Sequence, residues 1–147
     1  MTSLFDAAPY LAEYKLSFAV LAVLSLATLI QSFMSAPLSF LHEEQTPGMP
    51  LQFDHTKLSF RVLRTYSNSV EILPAFGWAL LVTIVAGAPP TLVNFLALAF
   101  LVFRLAFWAI YYSGVGKVAG GPRTMAFVGG MLTNIVLAAV ALWTLAA

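Results

Sequence analysis

The chain has 147 residues, 61% of them hydrophobic and 9% charged, with a formal net charge of +1 and no cysteine. A soluble domain carries about 25% charged residues, so a mean hydropathy of +0.90 excludes water as the main solvent. The charge balance gives no case for nucleic acid, since no basic run is interleaved with aromatics, and the absence of cysteine excludes disulfides and thiolate metal sites. Four membrane spans of roughly 20 residues each use most of the length. The expectation is a single domain, an all-α membrane protein built as a four-transmembrane-helix antiparallel bundle.

The first apolar run, Leu16 to Met34, follows Glu13 and Lys15. A secretory leader would have a basic start and a shorter apolar stretch; Asp6 and Glu13 precede this one, so it reads as a retained helix over about 11–34. Residues 35–56 contain Pro37, His42, Glu43, Glu44, Pro47, Gly48, Pro50, Asp54 and His55. Prolines and charges mark a surface loop. Its two histidines have no tight ligand spacing and read as solvated, so no metal is expected. The second helix is predicted over about 56–86, polar in its first half and apolar in its second. Gly87-Ala88-Pro89-Pro90 is a short turn that makes helices two and three antiparallel neighbours. The third helix is expected over about 91–112, with Arg104 as its one internal charge. A glycine-rich loop with Lys117 follows. The fourth helix, about 122–145, opens on Pro122, which is favoured at a first helical position because its missing N–H would be unpaired there anyway.

Four spans put both termini and the 87–90 turn on one side of the membrane. The other side collects Lys57, Arg61, Arg64, Lys117 and Arg123 against Lys15 alone. The positive-inside rule places that basic side in the cytoplasm, in the inner (plasma) membrane if the source is bacterial.

The informative constellation lies on helix two. Arg61, Arg64, Asn68 and Glu71 fall within one face about 80° wide at 3.6 residues per turn. Arg104 and Tyr111 share a face of helix three, and Arg123 stands at the mouth of helix four. A charge at the centre of a membrane helix costs about 2.5–3.5 kcal/mol even on mild insertion scales, so Glu71 and Arg104 are expected to be paired. An internal Glu71–Arg104 salt bridge locking the bundle would explain those two alone. It would not explain four arginines around one intramembrane acid; that surplus fits an anionic ligand.

The segment Arg61-Val-Leu-Arg64-Thr-Tyr-Ser-Asn68-Ser-Val-Glu71-Ile-Leu-Pro74-Ala-Phe76 resembles the signature R-x-x-R-x-x-x-N-x-x-E-x-x-P-x-F of the membrane-associated proteins in eicosanoid and glutathione metabolism, the MAPEG superfamily. Arg104 and Tyr111 resemble that family's third-helix pattern, and Arg123-Thr124 its Arg-Ser/Thr pair opening helix four. The resemblance spans about residues 10–145. It implies a homotrimer that binds glutathione between subunits near the cytosolic face. Arg64, Asn68 and Glu71 would hold the tripeptide together with Arg61, Arg104, Tyr111 and Thr124. Arg123, or Lys117 in its stead, would sit at the sulfur, and a lipophilic second substrate would arrive from the bilayer. Three departures are visible, one of them a loop between Tyr111 and Arg123 that is a few residues longer than in the family's leukotriene and prostaglandin enzymes. Gln31-Ser32-Phe33-Met34 carries no arginine where the leukotriene and prostaglandin types have one, and Phe107 stands where the prostaglandin type has a histidine. The implied activity is a glutathione-dependent transferase, with peroxidase chemistry as a variant. The alternatives are a non-enzymatic lipid-binding adaptor of the same family and, from a polar stripe that stops near Glu71, a small transporter.

Overall fold

The structure is a computed structural model that describes residues 4–41, 54–115 and 120–147. His42, Glu43, Glu44 and Lys117 therefore lie outside the described residues. A helical turn, α1 (Leu4–Ala7), and a 3-10 helix (Pro9–Tyr14) lead into α2 (Lys15–Leu41). Three more long helices follow: α3 (Leu58–Val85), α4 (Pro90–Ser113) and α5 (Pro122–Ala146). All four long segments are apolar enough to cross a membrane, and no strand occurs among the described residues. The protein is an all-α integral membrane protein with the expected four-helix bundle.

The ends of these helices follow from their residues. The 3-10 helix starts at Pro9, and α4 and α5 start at Pro90 and Pro122, where no backbone donor is lost. Helix α4 ends at Gly114, whose φ of 70° is the left-handed conformation that glycine adopts without strain. Helix α2 continues beyond Met34 and through Pro37 to Leu41, with the Ser35 and Ser39 hydroxyls donating to the carbonyls of Ser32 and Ser35. Helix α3 likewise runs through Pro74. In lipid the backbone has no competing water partner, so a proline interrupts a helix less than it would in a soluble protein.

Helix α4 packs most extensively on α5, α2 on α3, and α3 on α5. Phe76 of α3 and Phe100 of α4 stack at the centre, 4.1 Å apart and nearly parallel, flanked by buried Leu24, Leu80, Ile84 and Leu137. The α4–α5 seam depends on small residues. Ala126, Gly130 and Asn134 are all buried, and a Cβ on Gly129 would stand 2.4 Å from the Phe103 ring. At the terminal end the Tyr14 hydroxyl donates to the Ala88 carbonyl. There Asn94 accepts from the Ser17 backbone N–H (3.1 Å) and hydroxyl (2.7 Å) and donates to the Glu13 carbonyl (2.8 Å). These bonds fix the leading segment against the α3–α4 turn, far from the charged cluster.

Candidate functional site

Three helices and one turn line an open cavity of about 480 Å³ at the end of the bundle away from the termini. Phe60, Arg64 and Asn68 reach it from α3 at intervals of four, Phe107 and Tyr111 from α4, and Arg123, Thr124 and Phe127 from α5. Residues four apart lie above one another on a helix face, so each helix contributes a single stripe. The size falls within the range of small-ligand sites. One wall is aromatic: the Phe107 ring meets Tyr111 edge-on at 5.4 Å and Phe127 at 5.9 Å. The Arg123 guanidinium lies over the Tyr111 ring at 4.5 Å, close enough for a cation–π contact. Helix α5 begins beside it, and its N-cap Gly121 supplies no side-chain capping bond. The Thr124 hydroxyl accepts from the Gly120 N–H at 3.2 Å, which leaves its proton available as a donor.

Arg64, Asn68, Tyr111, Arg123 and Thr124 are thus brought together around one space. Arg61, Glu71 and Arg104 are not. The Arg61 guanidinium donates to the carbonyls of His55 (2.9 Å) and Thr56 (2.7 Å), and a Cβ on Gly114 would come within 3.2 Å of it. It clamps the turn before α3 against the end of α4.

The expected Glu71–Arg104 pair is not formed. Arg104, only 3% exposed, donates instead to Asn68 Oδ1 at 2.7 Å and to Ser69 Oγ at 3.1 Å, and it lies near the Phe107 and Trp108 rings at 5.0 and 5.5 Å. Glu71 lies on the outside of the chain. The physical reason is angular: Asn68 and Ser69 turn toward α4, whereas Glu71 points away from it. Charge-assisted hydrogen bonds and aromatic faces then offset part of the burial cost of the guanidinium.

From Arg104 a polar chain crosses the bundle. Ser69 donates to Gln31 Oε1 at 2.9 Å, Gln31 Nε2 donates to the Tyr112 hydroxyl at 2.7 Å, and Thr65 donates to the same oxygen at 3.0 Å. Gln31, at the region of helix one that lacks arginine, is therefore a buried structural partner. Beyond it a second cavity of about 430 Å³, lined by apolar side chains such as Ile30, Met34, Leu38 and Val62, lies between α2, α3 and α4.

The sequence missed His55. It reads as a solvated loop residue, yet its ring lines the cavity, packs edge-on against Phe60 at 4.9 Å and lies 6.1 Å from Tyr111. The only signal for this was its distance of five residues from Phe60, just before the helix that carries the motif.

The decisive comparison covers nearly the whole bundle: a sequence model of the MAPEG family matches residues 15–143. The chain belongs to the MAPEG family. No curated protein matches it. The matched segment contains every helix that lines the cavity, so this member of the glutathione and eicosanoid superfamily has its polar pocket among the family's own helices.

Proposed function

We propose that this MAPEG protein is a glutathione-dependent transferase whose thiolate attacks a lipophilic electrophile. The observation that carries the reading is the cavity on α3, α4 and α5, where Arg64 and Arg123 bring two guanidinium groups together and, among the described residues, no carboxylate lines the wall. An anionic tripeptide fits a wall that carries two guanidinium groups. Arg104 occupies Asn68 Oδ1, which leaves the amide N–H₂ as a donor toward a ligand. Arg64, Asn68 and the Tyr111 hydroxyl would hold the peptide, and Arg123 would stand at the sulfur with Thr124 beside it. A thiol with an ordinary value of about 8.5 is mostly protonated at pH 7. Lowering it to about 7 requires about 2 kcal/mol of preference for the thiolate, which a guanidinium at a helix N-terminus can supply.

In this reading the protein is a homotrimer with glutathione between subunits, and its basic end faces the cytoplasm. Glu71 supports the trimer. It stands near the middle of α3, exposed on the single chain, where lipid would be a costly neighbour and an adjoining subunit or its ligand would be a favourable one.

The test is conjugation of glutathione to an aryl halide by the purified protein, in which a C–S bond forms and the halide leaves with its electron pair. Arg123→Ala is expected to lose about a hundredfold in turnover, the usual cost of one anion-stabilising donor, while still binding glutathione. Unchanged turnover refutes the role. The apolar cavity between α2, α3 and α4 favours one second reading, a lipid-binding adaptor. That reading predicts thermal stabilisation by a fatty acid and none by glutathione.

A further inference from the structure

Arg61 opens the polar face of α3 but does not line the cavity. Its guanidinium instead touches two segments that do. From one nitrogen it donates to the carbonyls of His55 (2.9 Å) and Thr56 (2.7 Å), in the turn that brings His55 to the cavity wall. Both carbonyls stand outside the helical ladder, in which the Arg61 N–H itself takes the Lys57 carbonyl. Backbone carbonyls near the membrane need a donor, and this side chain supplies one to each.

The second contact is with Gly114. A Cβ there would stand 3.2 Å from the Arg61 Cζ and 3.3 Å from its Nη1, so the bare backbone of a glycine lets the guanidinium come close. Gly114 ends α4 three residues after Tyr111, and its N–H donates to the Tyr111 carbonyl at 3.2 Å. Tyr111 in turn carries the ring on which Arg123 lies. One side chain outside the cavity therefore ties the turn of His55 to the helix end of Tyr111, and those two rings lie 6.1 Å apart on the cavity wall. Asp54 fixes the shape of the turn through its bonds to the Thr56 N–H and hydroxyl. Arg61 fixes where the turn sits against α4.

We propose that Arg61 is a positioning residue: it holds the His55 turn and the Tyr111 end of α4 at the spacing that glutathione requires, without touching the peptide. This rests on the glutathione reading above. A wall set before the ligand arrives need not be ordered on binding, so loss of the tie weakens binding. Chemistry at the sulfur is less affected, because Arg123 and Thr124 stand on α5 and Phe107 still packs on Tyr111. The signature is a raised KM for glutathione with kcat kept. A merely structural role would reduce the amount of active protein, and so lower the apparent kcat at unchanged KM.

The experiment measures aryl halide conjugation by the full-length protein in detergent at varied glutathione, with affinity by calorimetry and hydrogen exchange on the protein free of glutathione. Arg61→Ala is expected to raise KM about tenfold, the net effect of one or two lost hydrogen bonds, to keep kcat within about twofold, and to speed exchange at the Thr56 and Gly114 amides. Arg61→Lys keeps the charge without the planar fork and should lie nearer to alanine than to the wild type. Gly114→Ala, which leaves the cavity lining and the charge unchanged, should raise KM several-fold by displacing the guanidinium. In the Arg61→Ala background it should add little; the strain of alanine at a φ of 70° is common to both arms of the cycle and cancels. A wild-type KM in Arg61→Ala overturns the assignment, as does a fall in kcat at unchanged KM. A raised KM with unchanged exchange would assign Arg61 to the peptide itself, and wild-type affinity in Arg61→Lys would reduce its role to charge; either result overturns the proposal. A wild-type protein that binds no glutathione in the calorimeter overturns the function beneath the assignment, and this is read before any variant is compared.

Discussion

At the residue scale, Arg104 shows how a buried cation can be structural and still govern a site. Its two hydrogen bonds run to Asn68, which lines the cavity, and to Ser69, which begins the chain to Gln31 and Tyr112. Truncation would leave the Asn68 oxygen unpaired, a penalty of about 1–3 kcal/mol, and would free its amide to rotate. Arg104→Leu is therefore expected to lower the thermal midpoint by several degrees and to weaken glutathione binding about tenfold, measured by thermal shift and calorimetry on the same preparation. Arg104→Lys keeps the charge but cannot reach both oxygens from one ammonium, so it should fall between the two. The motif residues at this site were legible because their spacing maps onto one face of α3. The partner of Arg104 was not. Periodicity alone places Glu71 with Asn68, and only the rotation of α3 against α4 decides which of them meets the guanidinium. His55 was illegible for a related reason: it precedes the helix, where no periodicity constrains it, and the bonds from Asp54 and Arg61 that aim it are tertiary and turn-specific.

At the element scale, the turn 54–57 depends on a carboxylate. Asp54 is held below its ordinary value of 3.8, first by the Thr56 hydroxyl and then by the Thr56 N–H. A carboxyl lowered in the folded state contributes stability that is complete above its unfolded value and is lost as pH falls through the folded one. The turn should therefore be intact at neutral pH and loosen only below about pH 4. Asp54→Asn should reproduce the acid state at pH 7, raising hydrogen exchange at Thr56 and Lys57 without unfolding the bundle. Protection unchanged in that variant would show that Arg61 alone holds the turn. The α4–α5 seam makes a second demand. A methyl at Gly129 would collide with the Phe103 ring, so Gly129→Ala should cost about 1–3 kcal/mol by overpacking, visible as a lower thermal midpoint. Adding Phe103→Leu should recover much of it. Ala126, Gly130 and Asn134 recur at a spacing of four, as small residues do where helices approach closely, and all are buried. Gly129 escaped because its need arises from one ring on the neighbouring helix. The helix count was legible because unbroken apolar length is a strong signal. The extension of α2 past Pro37 was not, since the rule that prolines end helices is calibrated in water.

At the scale of the whole molecule, charge and exposure conflict in an isolated chain. Arg64 and Glu71 are exposed along one side of α3, Glu71 near the helix middle, while the bundle interior holds Arg104 with no carboxylate among its hydrogen-bonding partners. A monomer in a bilayer would leave Glu71 facing hydrocarbon at about 2.5–3.5 kcal/mol. Association of identical chains around the α3 faces would relieve that cost, because a closed ring covers the same patch on every subunit. Native mass spectrometry from mild detergent is expected to show a homotrimer. Glu71→Gln, which keeps shape and removes charge, should leave the trimer assembled and weaken glutathione binding about tenfold. Glu71→Arg, placing like charges where the subunits approach, should shift the population toward monomer. A wild-type protein that remains monomeric at every concentration, yet conjugates glutathione, would mean that the cavity within one chain is sufficient. The exposed carboxylate would then need a lipid headgroup drawn into the membrane as its partner.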